Sequence, residues 1–352
     1  MAASRKTINW FEWARALGAL AIVCLHAVVS TTNVPEIASA NQALLYAENL
    51  AAIPLARWAV PVFFMVTGAL LLDPAREMTL ERVGRYLWRI SFVLLTVGFV
   101  FCLMESASND PTLLSAAGAA GADIAARVAG LVGTSFLNLL SGDSWDHLWY
   151  LYALLGLYLM TPFISAFVRR ASRREELVAC FTLYLVLCVA PTFNAVFDTK
   201  ILSFLTVGSP VVYFLCGHYA WAYLELDRRI VLAAACSLAA LAAIYVADPS
   251  LGGPLALPEY GFALPLALVV FLALRRWLDV PFDDRPAAAL LARDSFGIYL
   301  FHPLFAHVAL RVPALAQLPL AALQLVIVVS GVVGSILITR LLRLIPAFRN
   351  KL

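Results

Sequence analysis

Long apolar segments recur along almost the whole chain, and they restrict its fold more than any other feature. A helix needs roughly 17–25 mostly apolar residues to cross the hydrocarbon core of a bilayer. Of the 352 residues, 62% are hydrophobic and only 13% are charged, whereas soluble domains average about 25% charged residues. The sequence therefore predicts an all-α integral membrane protein, with residues 1–352 forming a single membrane domain.

The apolar segments predict about ten transmembrane helices. Their approximate bounds are 12–31, 53–72, 86–104, 147–168, 177–193, 201–222, 230–247, 257–274, 289–310 and 317–342. Between the third and fourth of them, residues 124–140 have an amphipathic pattern, so we expect this segment to lie on the membrane surface.

The distribution of basic residues predicts that both termini are cytoplasmic. Lysine and arginine are enriched in cytoplasmic loops. With the N-terminus inside, the inner segments and the adjoining span ends hold 20 of the 25 basic residues and the outer ones hold 4. A cleaved signal peptide is the alternative for the first segment, since "ASA" at 38–40 resembles a cleavage site. Ionisable residues within that segment favour a retained helix.

Arg15 and His26 are those ionisable residues. They are eleven positions apart, which places them on one face of a helix and about 16 Å apart along its axis. Glu12 precedes Arg15 by three residues, a spacing that permits an ion pair. Arg15 could extend to the inner interface, and His26 could simply bond a neighbouring helix. Because lipid makes ionisable groups costly, however, both are candidates for function.

Two further groups of polar residues are candidates. Ser295, Tyr299 and His302 share one face of the ninth segment, where His302 either packs between helices, binds a substrate or supports a catalytic base. His147 and Trp149 begin the fourth segment, as interfacial residues or as the rim of a sugar site. The sequence has no metal-ligand spacing, no glycine-rich phosphate loop and no GxSxG, so we expect neither a metal site nor a serine acyl-enzyme.

Five segments together resemble the acyltransferase-3 family of integral membrane acyltransferases. They are "FEWARALGALAIVCLHAVV" (11–29), "VPVFFMVTGALL" (60–71), "ERVGRYLWR" (81–89), "HLWYLYALLGLYLMTPFI" (147–164) and "SFGIYLFHPLF" (295–305). They follow the order of the family along the whole chain. Glu12 stands where the family often has aspartate, and Thr67 where it often has serine; both keep the chemistry.

The resemblance implies a ten-helix enzyme of the bacterial cytoplasmic membrane. It would move an acyl group, most simply from acetyl-CoA, to a hydroxyl of a glycan or lipid-linked glycan on the outer side. His26 would be the catalytic base, with Arg15 and Glu12 on the donor side and Arg85 and Arg89 beside the CoA phosphates. Histidine has a pKa suited to a base, and arginine suits phosphates. No permanently bound cofactor and no nucleic acid are expected, and the oligomeric state is open.

The alternative interpretation is that the protein is a transporter or a flippase. Arg15, His26 and His302 would then line a path for a solute or a proton. The arginines at the inner face and the five family segments favour the enzyme. Direct transfer and an acyl-histidine intermediate both stay open, as does another acyl donor such as succinyl-CoA. The group that orients His26 must come from another span, because Glu12 is too far along the helix.

Overall fold

The protein is helical throughout its described residues. The computed structural model describes residues 9–109, 121–143, 145–203, 208–280 and 285–352, and in these ranges it contains no β-strand. The helices are α1 (Asn9–Thr32), α2 (Pro35–Ala40), α3 (Gln42–Ala56), α4 (Ala59–Leu71), α5 (Leu80–Val93), α6 (Phe99–Asn109), α7 (Gly121–Ser141), α8 (Trp149–Val168), α9 (Arg173–Tyr184), α10 (Ala190–Phe197), α11 (Pro210–Tyr223), α12 (Arg228–Ala247), α13 (Pro249–Leu255), α14 (Ala263–Trp277), α15 (Pro286–Arg311), α16 (Pro313–Ala316) and α17 (Leu320–Arg343).

The chain divides into two compact units. The first contains α1–α4, the end of α8 from Phe163, and α9–α17. The second contains α5–α7, α8 as far as Pro162, and residues 345–352. Single π-helical turns, Leu94–Gly98 and Leu185–Val189, join α5 to α6 and α9 to α10.

Helices α1, α15 and α17 form a packed group in the first unit. Ala19, Val23, Ile298 and Ile336 share one buried cluster at its centre. Trp13 of α1 contacts Arg285 before α15, and His26 contacts His302 further along both helices, so α1 and α15 run parallel. This arrangement brings together side chains that are far apart in sequence.

Two glycines allow α4 and α11 to pack with their backbones in contact. A Cβ atom on Gly68 would collide with the carbonyl oxygen of Phe214, and one on Gly217 would collide with the carbonyl oxygen of Met65. Both glycines are needed for the close approach, because a colliding backbone cannot move aside as a side chain can. The segment "VPVFFMVTGALL" thus contributes a close backbone contact between helices through its glycine.

The second unit is held by contacts between its own helices and the chain end. The Tyr152 hydroxyl donates to the Leu139 carbonyl at 2.6 Å. Arg89 Nε donates to the Lys351 carbonyl at 2.9 Å, and Phe92 packs edge-on against Phe348. The C-terminal residues are therefore part of this unit.

Eight described helical segments are long and apolar enough to cross a membrane, judged by length and composition. They confirm an α-helical integral membrane protein. One of them is Ile124–Ser141, in the region expected to lie on the membrane surface; its length and composition suit a span equally well. Of the remaining predicted spans, 289–310 corresponds to α15, whose sequence includes Arg293 and Asp294.

Two predicted spans begin too early. The segment predicted at 201–222 starts in a turn, where Leu202 has φ of 56°, and its helix begins only at Pro210. The segment predicted at 257–274 starts in turns around Pro258, and its helix begins at Ala263. Apolar composition indicates that a segment lies in the membrane, but it does not identify the first residue of the helix. A proline at the first helical position, such as Pro210, does indicate where a helix begins.

Candidate active site

His26 and His302 meet between α1 and α15. His26 Nδ1 lies 2.7 Å from His302 Nε2. Their ring planes are inclined by 21°, with centroids 4.9 Å apart, which agrees with a hydrogen bond directed along the planes of the rings. His302 is only 2% exposed. The partner that orients His26 therefore comes from another helix, as the sequence predicts, and it is a second histidine.

The hydrogen bonds of His302 determine the tautomers of both rings. His302 Nδ1 lies 2.8 Å from the Ile298 carbonyl oxygen, which can only accept, so Nδ1 carries a proton. Neutral His302 then presents a lone pair at Nε2, and His26 must donate to it from Nδ1. The lone pair of neutral His26 lies consequently on Nε2, the nitrogen that could accept a proton from a substrate.

Two glycines, Gly331 on α17 and Gly297 on α15, make room for this pair. A Cβ atom on Gly331 would lie 3.3 Å from a Val23 methyl group and 3.5 Å from His302 Cβ. A Cβ atom on Gly297, five residues before His302 on α15, would collide with Thr339. The absence of side chains at these two positions lets α15 lie close to α17 and α1, and this close packing fixes the position of the His302 ring.

Arg15 forms the ion pair with Glu12 that their spacing predicts. The Arg15 side chain is 44% exposed and that of Glu12 24%. Beside them, Trp13 Nε1 donates to the Val280 carbonyl at 3.3 Å, and its ring lies under Arg285. Arg15 thus lies at the beginning of α1, about 16 Å along the axis from His26. Its partner is Glu12, while His302 orients His26.

Ser295 and Tyr299 share α15 with His302, and both are buried. The Ser295 hydroxyl donates to the Ala292 carbonyl at 2.8 Å, within its own helix. The Tyr299 ring lies nearly parallel to Phe296, with centroids 6.4 Å apart. Of the three residues predicted to share this face, His302 contacts His26.

The predicted residues His147 and Trp149 belong to the second unit. His147 is buried and meets the rings of Phe101 and Trp145 edge-on, at centroid distances of 5.5 and 6.0 Å. Trp149 is 37% exposed and stands perpendicular to Tyr150. His147 is thus part of an aromatic cluster, and Trp149 is available at the surface of this unit.

Arg85 and Arg89 also belong to the second unit. Arg85 forms an exposed ion pair with Glu81 at 3.0 Å, and Arg89 bonds the Lys351 carbonyl. Both arginines lie on α5, where the basic segment "ERVGRYLWR" places one turn of helix between them.

Other polar groups of the first unit did not emerge from the sequence. Arg57, in the turn between α3 and α4, is close enough to His26 and Glu259 for their charges to interact. His218 Nδ1 lies 2.7 Å from Glu176 Oε1, and both side chains are buried, so this pair joins α11 to α9. Asp294 is buried among three arginines. An acidic residue inside an apolar segment was the only signal for this last group.

These features define the class of protein: a multi-pass membrane protein in which the partly buried His26 of α1 contacts the buried His302 of α15. The family model of the acyltransferase-3 domain, described as "Acyltransferase domain", matches residues 8–340. The chain therefore belongs to the acyltransferase-3 family of membrane acyltransferases, and it is an acyltransferase. Searches of curated proteins and of solved structures gave no match.

Proposed function

We propose that this protein is an O-acetyltransferase of a bacterial cytoplasmic membrane. It moves the acetyl group of cytoplasmic acetyl-CoA to a hydroxyl of a cell-surface polysaccharide or of its lipid-linked precursor. The hydrogen bond from His26 Nδ1 to His302 Nε2, at 2.7 Å, is the observation that carries this proposal. Family membership supports acyl transfer. The resemblance of the motifs to those of the enterobacterial common antigen O-acetyltransferase supports the acetyl donor and the glycan acceptor.

His26 acts as the general base in this proposal. Its Nε2 takes the proton of the acceptor hydroxyl while the hydroxyl oxygen bonds to the thioester carbonyl carbon. The C–S bond then breaks, the thiolate of CoA receives the proton from His26, and the products are the ester and free CoA. His302 Nε2 stabilises the transient imidazolium, because a hydrogen bond from a charged donor is stronger than one from a neutral donor.

Arg57 is suited to stabilise the charge that develops on the carbonyl oxygen. A cation in a site from which water is excluded lowers the energy of a tetrahedral intermediate, and Arg57 is near enough to His26 to interact with it electrostatically. Attack of the acceptor hydroxyl on a thioester held beside His26 would place the developing oxyanion within the field of this guanidinium.

The two ends of α1 separate the two substrates. We place the donor on the side of Glu12 and Arg15. The resemblance to the family separately assigns Arg85 and Arg89, of the second unit, to CoA. We place the acceptor beyond His26. Ser295 and Tyr299, which precede His302 on α15, are assigned a supporting role, and His147 and Trp149 of the second unit stay candidates for acceptor binding from the sequence alone. The long, narrow pantetheine arm would carry the thioester along the roughly 16 Å of helix from Arg15 to His26.

Label transfer tests this proposal. Purified protein in vesicles is incubated with acetyl-CoA labelled in the acetyl group and with the glycan fraction of the host. We expect CoA release and label in the glycan that mild alkali removes, as for an ester. Label that resists alkali but sits on nitrogen would identify an amine acceptor and contradict O-acetylation. Binding without any turnover, together with solute or proton flux that depends on His26, would favour the transporter reading.

A further inference from the structure

Three arginines converge on one buried carboxylate where α15 and α17 meet. Asp294 is 0% exposed. Arg343 hydrogen-bonds its Oδ1, Arg340 Nε lies 3.5 Å from its Oδ2, and Arg293 lies 3.7 Å from the same oxygen. We call Arg293, Arg340 and Arg343 with Asp294 the arginine cluster.

The arginine cluster has more positive charge than its single carboxylate can neutralise. One carboxylate faces three guanidinium groups, which leaves two positive charges in excess. Arg293 and Arg340 are 62% and 48% exposed at their side chains. Each guanidinium has five N–H donors, and neither Arg293 nor Arg340 makes more than one contact of less than 4 Å with Asp294. The carboxylate thus holds the guanidinium groups together while their outer donors face away from it.

The arginine cluster lies on the donor side of the candidate active site. Helix α15 runs parallel to α1, so the start of α15 lies at the same end as Trp13 and Arg15. Asp294 precedes His302 by eight residues, which is about 12 Å along the helix. A ligand held at the arginine cluster could therefore extend an arm of this length to the pair of histidines.

We infer that the arginine cluster binds the phosphates at the nucleotide end of the acyl donor, a 3′-phosphorylated adenosine diphosphate group. Guanidinium groups held in a fixed arrangement suit bidentate phosphate binding. The inference rests on the proposed function for the identity of the donor. The same phosphate chemistry occurs in anionic lipid headgroups, and the experiment has an arm for each source.

The first arm measures binding of adenosine 3′,5′-bisphosphate to the full-length protein in neutral phosphatidylcholine vesicles. Arg293→Gln and Arg340→Gln are compared with Arg228→Gln, an exposed arginine at the start of α12. We expect each cluster variant to bind the bisphosphate about tenfold more weakly or worse, since bonds to charged groups are strong. The control variant should bind like the wild type. Equal affinity in all four proteins would overturn the inference.

The second arm compares two donors. The KM for acetyl-CoA should rise about tenfold or more in the cluster variants, whereas the KM for S-acetylpantetheine, which lacks the nucleotide, should stay at the wild-type value. An equal rise for both donors would overturn the inference. Cluster-dependent binding of the bisphosphate without acetyl transfer by the wild type would refute the proposed function and leave the inference standing.

The third arm adds phosphatidylglycerol to the vesicles. If phosphatidylglycerol stabilises the wild type but not the cluster variants, and bisphosphate binding is the same in all of them, the arginine cluster binds lipid headgroups and the inference is wrong. If the variants lose bisphosphate binding and respond to phosphatidylglycerol as the wild type does, the inference is supported.

Discussion

A histidine serves as a base only in the tautomer that presents its lone pair to the substrate, and here a second ring selects that tautomer. His302 accepts from His26 Nδ1 and donates to the Ile298 carbonyl. Loss of His302 would free the His26 ring to rotate and to adopt the other tautomer. In the Ser-His-Asp triad, an incorrect tautomer costs about 10⁴ in kcat, so the expected penalty is large.

We therefore predict that His302→Ala lowers kcat for acetyl transfer by about 10²-fold or more. His302→Gln should retain more activity than His302→Ala, because an amide oxygen can still accept from His26 Nδ1. Steady-state CoA release by the purified variants measures both effects. Equal activity of the two variants would indicate that the ring of His302 packs against its neighbours without accepting a hydrogen bond.

The sequence predicts residue positions better than residue contacts. The spacing of Glu12 and Arg15 predicts their ion pair correctly, because both lie within one turn of α1. The contact between His26 and His302 crosses 276 positions, and only the packing of α1 against α15 determines it. The sequence predicted that the partner of His26 comes from another helix but could not decide which histidine, acid or hydroxyl it is.

At the scale of elements, one buried carboxylate joins two helices. Asp294 on α15 accepts from Arg343 on α17, whereas the pair of Arg85 and Glu81 lies within one exposed helix. Removal of one partner of a buried pair costs about 3–5 kcal/mol, and exposed pairs contribute about 0–1 kcal/mol. The two pairs should therefore respond very differently to neutralisation.

We predict that Asp294→Asn lowers the melting temperature of the solubilised protein by several degrees, since three arginines lose their common carboxylate. The matched change Glu81→Gln should leave the melting temperature nearly unchanged. Fluorescence-monitored thermal unfolding in one detergent gives the comparison. A fully stable Asp294→Asn protein would show that the arginines do not depend on this carboxylate.

The close backbone contact between α4 and α11 leads to a prediction about helix packing and stability. Gly217→Ala should destabilise the protein strongly, because its new methyl group meets the backbone of Met65, and overpacking costs about 1–3 kcal/mol or more. Gly156→Ala on α8 is the control, since no atom lies within 4 Å of the added carbon. Size-exclusion profiles and melting temperatures should separate the two variants, and equal behaviour would contradict the tight packing.

For the whole molecule, the basic residues predict one orientation in the membrane. A fluorescent protein fused after Leu352 should fluoresce, because the C-terminus is expected in the cytoplasm. Alkaline phosphatase fused after Lys200 should be active, because that loop is expected outside. The opposite pattern at both positions would show that the protein has the inverted orientation, with the donor side facing away from the cytoplasm.

Apolar composition largely predicts which segments form membrane helices. It does not predict the residues at which those helices begin and end. Segments such as 12–31 and 230–247 coincide with α1 and α12 within a few residues, because each is mostly apolar between polar ends. Segments 201–222 and 257–274 include turns that are as apolar as the helices they precede. The proline at the first position of α11, Pro210, and the turns over 256–262 before α14, rather than hydropathy, mark where those helices begin.

The most direct test of the account is the rate of acetyl transfer by His26→Ala relative to the wild type. His307→Ala is the matched control, because His307 lies on α15 only five residues beyond His302 and has no role in the proposed reaction. A general base contributes about 10²–10⁴-fold to the rate. We predict a loss of this size in His26→Ala with near-normal transfer in His307→Ala. Equal transfer by His26→Ala and the wild type would contradict the account.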